Sequence, residues 1–245
     1  MSQGTLLVLG GRSDIGLAVA RLFAADGYDL QLAARNCASL TNVQADLQLR
    51  HGVTVSLLEF DVLAPNSHQA FVDALFPLPA IALCAIGLLG DQAADERAVD
   101  NVITILRSNF EGPAAILSVL ANRFAERGSG VIIGISSVAG ERGRPSNYLY
   151  GSAKSGFTAF LSGLRGRLAR QGVHVITVLP GFVATRMTSH RPLPAALTIQ
   201  PDTVARAIAR AVRKGKNRVF VGPVWRLIMA VIRAIPEFVF KRLSL

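Results

Sequence analysis

The chain has 245 residues, 51% of them hydrophobic, and a formal net charge of +10. A chain of this length and composition can bury a large core, so we expect one domain, 1–245. No apolar run approaches the ~20 residues that cross a bilayer, which argues against a transmembrane helix. The two cysteines and four histidines form neither a disulfide framework nor a metal-ligand spacing, and we predict no metal site.

The first apolar run begins at Thr5. This start leaves no room for a cleavable signal peptide, so a cytoplasmic protein is expected. The low cysteine content agrees with a reducing compartment.

Short apolar runs alternate with helical stretches along the whole chain. This order is typical of a doubly wound, Rossmann-type α/β fold, in which helices cover both faces of a parallel sheet. We therefore predict a single domain with a parallel sheet of about seven strands. The predicted strands span residues 5–10, 28–34, 53–58, 80–86, 130–136, 173–179 and 218–222.

A glycine-rich turn, residues 10–16, follows the first predicted strand and precedes a helical pattern. Strand, glycine-rich turn and helix, in that order, form the arrangement in which backbone N–H groups and a helix N-terminus hold a dinucleotide pyrophosphate. We predict that the cofactor-binding residues of this turn are Gly10, Arg12, Ser13, Asp14, Ile15 and Gly16.

Asp14 places a carboxylate where a pyrophosphate would approach. Its charge could weaken cofactor binding. Alternatively, Asp14 points to solvent or caps a helix that begins at Ile15, since aspartate is a good helix cap. We favour the cap because Arg12 is close enough to offset the charge.

The end of the second predicted strand bears on cofactor choice. An acidic residue there would bind the ribose hydroxyls of NAD, whereas an arginine can bind the 2′-phosphate of NADP. The chain has Ala34 followed by Arg35, and Arg12 is a second cation that could face the same phosphate. We predict a preference for NADP(H). The alternative is that Arg35 stacks on adenine and NAD(H) is used as well.

Tyr150 and Lys154 stand four residues apart, about one helical turn, so on a helix both side chains leave the same face. A phenol ionises near pH ~10, and a nearby ammonium would lower its pKa. Ser137, at the end of an apolar run, could hold a substrate oxygen by a hydrogen bond. This pattern favours a proton-transfer site, although the pair could also be two surface residues of an ordinary helix.

Taken together, these motifs resemble those of the short-chain dehydrogenase/reductase family over essentially the whole chain. Residues 9–16 match its Thr-Gly-x-x-x-Gly-x-Gly turn except that the threonine and the middle glycine are replaced, and residues 84–87 depart from its Asn-Asn-Ala-Gly motif but keep Gly87. The remaining matches are Asp61 with Val62, Asn109, Ser137 with Tyr150 and Lys154, and Pro180, Gly181, Val183 and Thr185 in a Pro-Gly-x-x-x-Thr loop.

The resemblance implies a role for each matched position. Asp61 and Val62 would bind adenine, and residues 180–185 the nicotinamide. Tyr150 would give a proton to a carbonyl oxygen held by Ser137, and Lys154 would lower the tyrosine pKa and hold the nicotinamide ribose. Asn109 would tie the lysine to a proton-relay water. The implied activity is NAD(P)H-dependent reduction of a carbonyl to a secondary alcohol by a homodimer or homotetramer.

The positive charge is concentrated near the end of the chain. From residue 201 onward the sequence has ten basic and two acidic residues, a local net charge of +8. Segment 224–245 interleaves these cations with apolar and aromatic residues, as in segments that lie at a membrane surface, and Pro236 would break it in two. The alternatives are packing on the protein's own core and a subunit contact. Without a recognisable binding module, nucleic acid is not an expected partner.

Residues 87–91, 136–142, 148–154 and 185–190 and the ending of the chain are similar to the decaprenylphosphoryl-2-keto-ribose reductases, a branch of the same family. This resemblance implies a lipid-linked substrate, the 2-keto sugar of a polyprenyl phosphate. It also implies a flavin oxidase partner, a peripheral location at the inner face of the membrane and acceptance of NADH. Two alternatives stay open: another lipid ketone such as a 3-ketoacyl substrate, and a non-catalytic nucleotide-binding protein associated with a membrane.

Overall fold

The computed structural model describes residues 2–190, 192–222 and 224–243. Residues 244–245, the end of the predicted domain and of segment 224–245, lie outside the described residues.

A seven-stranded parallel sheet forms the centre of the fold, with the strand order β3-β2-β1-β4-β5-β6-β9. The predicted fold class and strand number are confirmed, although the fourth strand ends at Cys84 and not at residue 86. A second, two-stranded sheet was not predicted. The strands are β1 (Thr5–Leu9), β2 (Asp29–Ala34), β3 (Val55–Glu59), β4 (Ile81–Cys84), β5 (Gly130–Ile135), β6 (Val173–Pro180), β7 (Phe182–Val183), β8 (Thr198–Ile199) and β9 (Arg218–Val221).

Helices connect the strands. The α-helices are α1 (Asp14–Ala25), α2 (Thr41–His51), α3 (His68–Asp73), α4 (Gln92–Asp95), α5 (Val99–Leu106), α6 (Gly112–Arg127), α7 (Tyr148–Leu168), α8 (Pro201–Arg213), α9 (Trp225–Ala234) and α10 (Glu237–Phe240). A π-helical turn, Arg107–Glu111, joins α5 to α6. Short 3₁₀ helices span Cys37–Leu40, Pro65–Ser67, Val138–Glu141 and Ala195–Leu197.

The sheet is buried on both faces. Leu6 and Val8 of β1 belong to one apolar core, which includes residues of α1 and α8, whereas Leu7 and Leu9 belong to another, which includes residues of α3, α6 and α7. Successive side chains of a strand point to opposite faces, so a strand covered on both sides is apolar throughout. This burial explains the continuous apolar runs in the sequence.

The strand order reverses between β1 and β4. From β1 the chain proceeds outward through β2 and β3, then returns to place β4 on the other side of β1. In open α/β sheets this reversal leaves a crevice beyond the carboxyl ends of the two strands. The glycine-rich turn after β1 and residues 85–90 after β4 flank this crevice.

The C-terminal segment forms two helices that pack beside the sheet. Helix α9 ends at Ala234 and α10 begins at Glu237, with Pro236 between them as predicted. Trp225 and Met229 are buried in a small cluster with Val138. Within the described residues, no helix is both long and apolar enough to cross a membrane.

Candidate active site

A cleft of about 620 Å³ lies beyond the carboxyl ends of the central strands. Most of the predicted site residues line it, although they come from distant parts of the chain. They are Gly10, Arg12, Ser13, Asp14, Ile15, Arg35, Asp61, Val62, Gly87, Ser137, Tyr150, Lys154, Pro180, Gly181, Val183 and Thr185. Gly16 and Asn109 are not part of this lining.

Helix α7 carries Tyr150 and Lys154 into the cleft on one face. The end of β5 holds this helix in place, because the Ser136 hydroxyl donates to the Lys154 carbonyl oxygen at 2.9 Å and lies 2.6 Å from the Thr158 hydroxyl. The neighbouring Ser137 caps the 3₁₀ helix Val138–Glu141, and its hydroxyl oxygen accepts a hydrogen bond from the Ala139 amide at 3.1 Å. Three of the four predicted catalytic residues, Ser137, Tyr150 and Lys154, therefore line one cleft, and Asn109 lies outside its lining.

The expected lowering of the Tyr150 pKa is not what the structure shows. Burial raises the pKa of Tyr150 to about 12, and the nearby Ser137 hydroxyl opposes this rise only in part. The Lys154 ammonium is 5.7 Å from the centre of the Tyr150 ring. It donates instead to the carbonyl oxygens of Ile135, at 3.1 Å, and Ile86, at 3.4 Å. Tyr150 is therefore a protonated phenol at neutral pH.

Lys154 is almost completely buried, with 2% of its surface exposed. Burial disfavours an ammonium ion and lowers the pKa of Lys154 to about 8, although the Cys84 thiol opposes the effect. Burial also raises the pKa of Cys84 to about 11, so that thiol is protonated. Below pH ~8 the cleft thus contains a buried cation beside a protonated phenol.

Asn109 lies in the π-helical turn and fastens the loop that follows β4. Its amide nitrogen donates to the carbonyl oxygens of Leu88, at 2.7 Å, and Ile105, at 2.9 Å, while its oxygen accepts from the Leu88 amide at 3.1 Å. A Cβ added at Gly87 would lie 2.9 Å from this oxygen and 3.4 Å from the Lys154 nitrogen. A side chain at position 87 would therefore crowd both groups.

The structure corrects the prediction for Asp14. Helix α1 begins at Asp14 and not at Ile15, and Ser13 caps it, since the Ser13 hydroxyl accepts a hydrogen bond from the Gly16 amide at 3.3 Å. The Asp14 carboxylate instead accepts from the backbone amide of Arg186, at 2.7 Å, and from its Nε, at 2.8 Å. Arg186, and not Arg12, therefore offsets its charge.

Arg186 was missed in the sequence because its partner is 172 residues away. Its guanidinium also hydrogen-bonds the carbonyl oxygen of Arg12. The contacts join the glycine-rich turn to the loop after β7 across the cleft. No local spacing indicates such a bridge.

Glu59 was missed as well. Its carboxylate accepts hydrogen bonds from the backbone amides of Asn36, at 2.7 Å, and Cys37, at 2.9 Å. These two residues directly follow Arg35, which lines the cleft at the end of β2. Glu59 therefore holds the loop that positions the Arg35 backbone.

The C-terminal segment reaches the cleft through Trp225, which lines it. A Cβ added at Gly181 would overlap the Trp225 indole, so any larger residue at that position would have to displace it. The apolar residues on the opposite side of the segment are exposed: Leu227 by 70%, Val231 by 57% and Phe238 by 65%. The segment thus packs on the protein's own core with one side and leaves an apolar side uncovered.

Cations of this region pair with the loop that follows Ser137. The Glu141 side chain is only 5% exposed and lies 2.5 Å from Arg218 and 3.4 Å from Arg233. Arg142 forms a 2.6 Å ion pair with Glu237, and its guanidinium also donates to carbonyl oxygens at the end of α9. Glu141 therefore neutralises part of the C-terminal positive charge within the molecule, whereas Arg142 pairs with one of the few C-terminal acids.

Comparison with known proteins agrees with this geometry. The sequence profile of the short chain dehydrogenase family matches residues 4–194. An uncharacterized oxidoreductase of Mycobacterium tuberculosis is 37% identical over 242 residues, covering 97% of this chain and 96% of the relative. Another uncharacterized oxidoreductase, from Streptomyces coelicolor, is also 37% identical over 242 residues, covering 98% and 95%.

The fold is also similar to that of solved structures. A short chain dehydrogenase from Burkholderia cenocepacia, solved in complex with NADP, superposes with a TM-score of 0.83 at 20% identity, over 100% of this chain and 98% of that one. The chain belongs to the short-chain dehydrogenase/reductase family, as its motifs predicted. It is an oxidoreductase of that family.

Proposed function

We propose that this protein reduces a ketone to a secondary alcohol with NADP(H) as the hydride donor. The observation that carries the proposal is the convergence of Ser137, Tyr150 and Lys154 in the cleft that the glycine-rich turn opens into. A reduced nicotinamide dinucleotide would supply the hydride when bound. Residues of the turn, Asp61, Val62 and residues 180–185 would hold it.

The protein's own groups would manage the proton. Because burial keeps Tyr150 protonated at neutral pH, its hydroxyl can donate to the oxygen of the carbonyl as negative charge develops there. Ser137 would hold the same oxygen by a hydrogen bond. The buried Lys154 cation would stabilise the developing phenolate. Asn109 would keep the loop around Gly87 in place and order the proton relay.

Tyr150→Phe tests this chemistry, because it removes only the hydroxyl. We expect nearly all turnover of ketones to be lost, by a factor of about 10² or more, while the Kd for NADP(H) stays within about twofold. Tyr28→Phe is the matched control, since Tyr28 packs against Phe23 outside the cleft. Substantial turnover by Tyr150→Phe would contradict the assignment.

The preference for NADP(H) rests on Arg12 and Arg35, both of which line the cleft. An arginine can pair with a 2′-phosphate in a bidentate manner, a contact that NAD(H) lacks. The Burkholderia relative contains NADP, which agrees with this choice. In Arg35→Ala the ratio of kcat/KM for NADPH to that for NADH should fall by about tenfold or more. An unchanged ratio would refute the proposal that Arg35 selects NADP(H).

For the substrate, we infer the 2-keto sugar of a polyprenyl phosphate, as in decaprenylphosphoryl-2-keto-ribose reductase. The exposed Leu227, Val231 and Phe238, with Arg226 and Lys241 in the same segment, would rest on an anionic membrane surface at its inner face. A flavin oxidase would then be the partner that generates the ketone. Cofactor oxidation with liposomes that carry a keto-ribosyl polyprenyl phosphate tests the substrate.

Another lipid ketone, such as a 3-ketoacyl thioester, is the second candidate. The apolar residues that line the cleft favour it, among them Leu88, Leu89, Val138, Phe182, Met187, Leu193 and Trp225. Faster turnover of the thioester than of the keto sugar would decide for this candidate. If the protein binds the nucleotide but reduces neither the thioester nor the keto sugar, the remaining alternative is a non-catalytic nucleotide-binding protein.

Membrane contact can be tested apart from catalysis. The triple substitution of Leu227, Val231 and Phe238 by Ser should reduce co-sedimentation with anionic liposomes and leave turnover of a water-soluble ketone unchanged. Unchanged sedimentation would exclude this surface as the membrane contact.

The predicted homodimer or homotetramer requires a surface for contact between subunits, in addition to the apolar surface proposed for membrane contact. Helix α5 and the π-helical turn expose Val99 by 74%, Ile103 by 45% and Phe110 by 38%. Such a patch suits a contact between subunits. Ile103→Glu should yield a monomer in sedimentation velocity if this patch joins the subunits.

A further inference from the structure

Arg144 lines the cleft. It lies in the segment that connects Ser137 and Tyr150, two residues that would act on the substrate and that line the same cleft. The sequence motifs give this residue no role. Its position is separate from Arg12 and Arg35, which adjoin the strands that hold the dinucleotide.

The Arg144 guanidinium has no carboxylate partner among the described residues. The residue is half-buried, and its Nε is fully buried with no hydrogen-bond partner among the described residues. Burial accordingly lowers the pKa of Arg144. A half-buried cation that finds no partner in the described part of the chain is unfavourable for folding, which makes a binding role for Arg144 a better explanation than a structural one.

The other charges of the cleft support this interpretation. The described residues that line it include two carboxylates, Asp14 and Asp61. Asp14 is bound by Arg186, and Asp61 accepts a hydrogen bond from the Leu63 amide at 3.0 Å. Neither carboxylate pairs with Arg144, and the cations of the lining outnumber these two carboxylates, so the cleft carries a net positive charge.

We propose that Arg144 binds an anionic oxygen group of the substrate, a phosphate ester or a carboxylate, and so restricts the enzyme to anionic ketones. This inference rests on the proposed reductase function and names the residue that selects its substrate. A guanidinium binds such groups through two parallel hydrogen bonds, which fixes orientation as well as charge. The carbonyl of the bound ketone would then be held in one orientation relative to Tyr150.

Asn147 adds a second recognition element. Its side-chain oxygen is buried without a hydrogen-bond partner, and the residue lines the cleft three positions after Arg144. An unpaired acceptor is satisfied by a hydroxyl donor. The pair therefore suits a ketone that carries both an anionic group and a hydroxyl group.

Direct binding tests the site without relying on turnover. Trp225 is the single tryptophan of the chain and lines the same cleft, so its fluorescence reports binding there. Phenyl phosphate and benzoate are the two probes, each titrated with and without saturating NADP⁺. Arg144→Gln should weaken binding of the tighter probe by about 10- to 100-fold, and Arg144→Lys by less. Arg170→Gln, an exposed site outside the cleft lining, is the control and should change nothing.

Turnover separates this inference from the reductase proposal. The paired ketones are a short prenylphosphoryl 2-keto-ribofuranoside and the neutral methyl 2-keto-ribofuranoside. Arg144→Gln should raise KM for the charged ketone by about tenfold or more and leave kcat/KM for the neutral one within about twofold. Because the arginine is unpaired, the Tm of the variant should not fall.

Two results would overturn the inference: anion binding by Arg144→Gln as tight as in the parent chain, or equal losses for both ketones. The parent chain could also bind anions in a way that depends on Arg144 and yet reduce no ketone. That result would support the anion site and refute the reductase proposal.

Discussion

Replacing Lys154 by Met should stabilise the fold at pH 7 while it removes activity. Lys154 is 2% exposed, and burial lowers its pKa from 10.5 to about 8. One pKa unit corresponds to about 1.4 kcal/mol, so the ionised side chain destabilises the folded state by about 3 kcal/mol. Met would also leave the carbonyl oxygens of Ile135 and Ile86 without their donor, which offsets about 1–2 kcal/mol. We therefore expect a net gain of about 1–2 kcal/mol in the free energy of unfolding.

The stability difference between Lys154→Met and the parent chain should depend on pH. Lys154 loses its proton above pH 8 in the folded chain but only near pH 10.5 in the unfolded chain. The unfolded state binds more protons between these values, so the contribution of Lys154 to the free energy of unfolding rises with pH in this window. Met does not titrate. The advantage of Lys154→Met should consequently shrink from pH 8 upward and disappear near pH ~9, and above that pH the parent chain should be the more stable.

Urea denaturation at pH 7, 8, 9 and 10 measures the effect, with the difference between variant and parent as the readout. Other groups titrate in the same range, but they are common to both chains and cancel. Lys214→Met is the matched control, because Lys214 is exposed. A parent chain more stable than Lys154→Met at pH 7, or a gap that stays constant from pH 7 to 10, would refute the reasoning.

The remaining predictions concern packing and thiol reactivity. Glu141→Gln removes the buried negative charge that pairs with Arg218 and Arg233. It should lower the free energy of unfolding, measured by urea titration, by about 1–2 kcal/mol. An unchanged free energy of unfolding would mean that these ion pairs contribute nothing to stability. Gly181→Ala should displace the Trp225 indole, shift its fluorescence to the red and destabilise by about 1–3 kcal/mol, so an unchanged emission maximum would contradict the close packing. Iodoacetamide at pH 8 should label the half-buried Cys37 in the native protein and Cys84 only after denaturation, as mass spectrometry can check.

The sheet could be predicted from the sequence because a strand that is buried on both faces is a continuous apolar run, which is visible within that strand alone. The runs that begin at Thr5 and Val173 are apolar almost throughout and became central strands. The small sheet of β7 and β8 escaped prediction, since two residues cannot display a period. The end of β4 was overestimated because residues 85–86 are as apolar as the strand itself.

The site was predictable where its geometry is local. Tyr150 and Lys154 share a face of α7 because their spacing equals about one helical turn. Contacts between distant segments could not be predicted in this way: Arg186 with Asp14, and Glu141 with Arg233. The pKa of Tyr150 was predicted in the wrong direction because burial, which depends on the whole fold, raises it, and the Ser137 hydroxyl opposes this rise only in part.

The bridge between Asp14 and Arg186 also affects how the cleft binds its ligands. Both partners belong to the chain, so the loop after β7 becomes ordered when the protein folds. The loss of loop entropy then accompanies folding and does not reduce the affinity for a dinucleotide. A chain with Asp14→Ala would order the same loop on binding, and its association with the cofactor should therefore show a more unfavourable entropy in calorimetry.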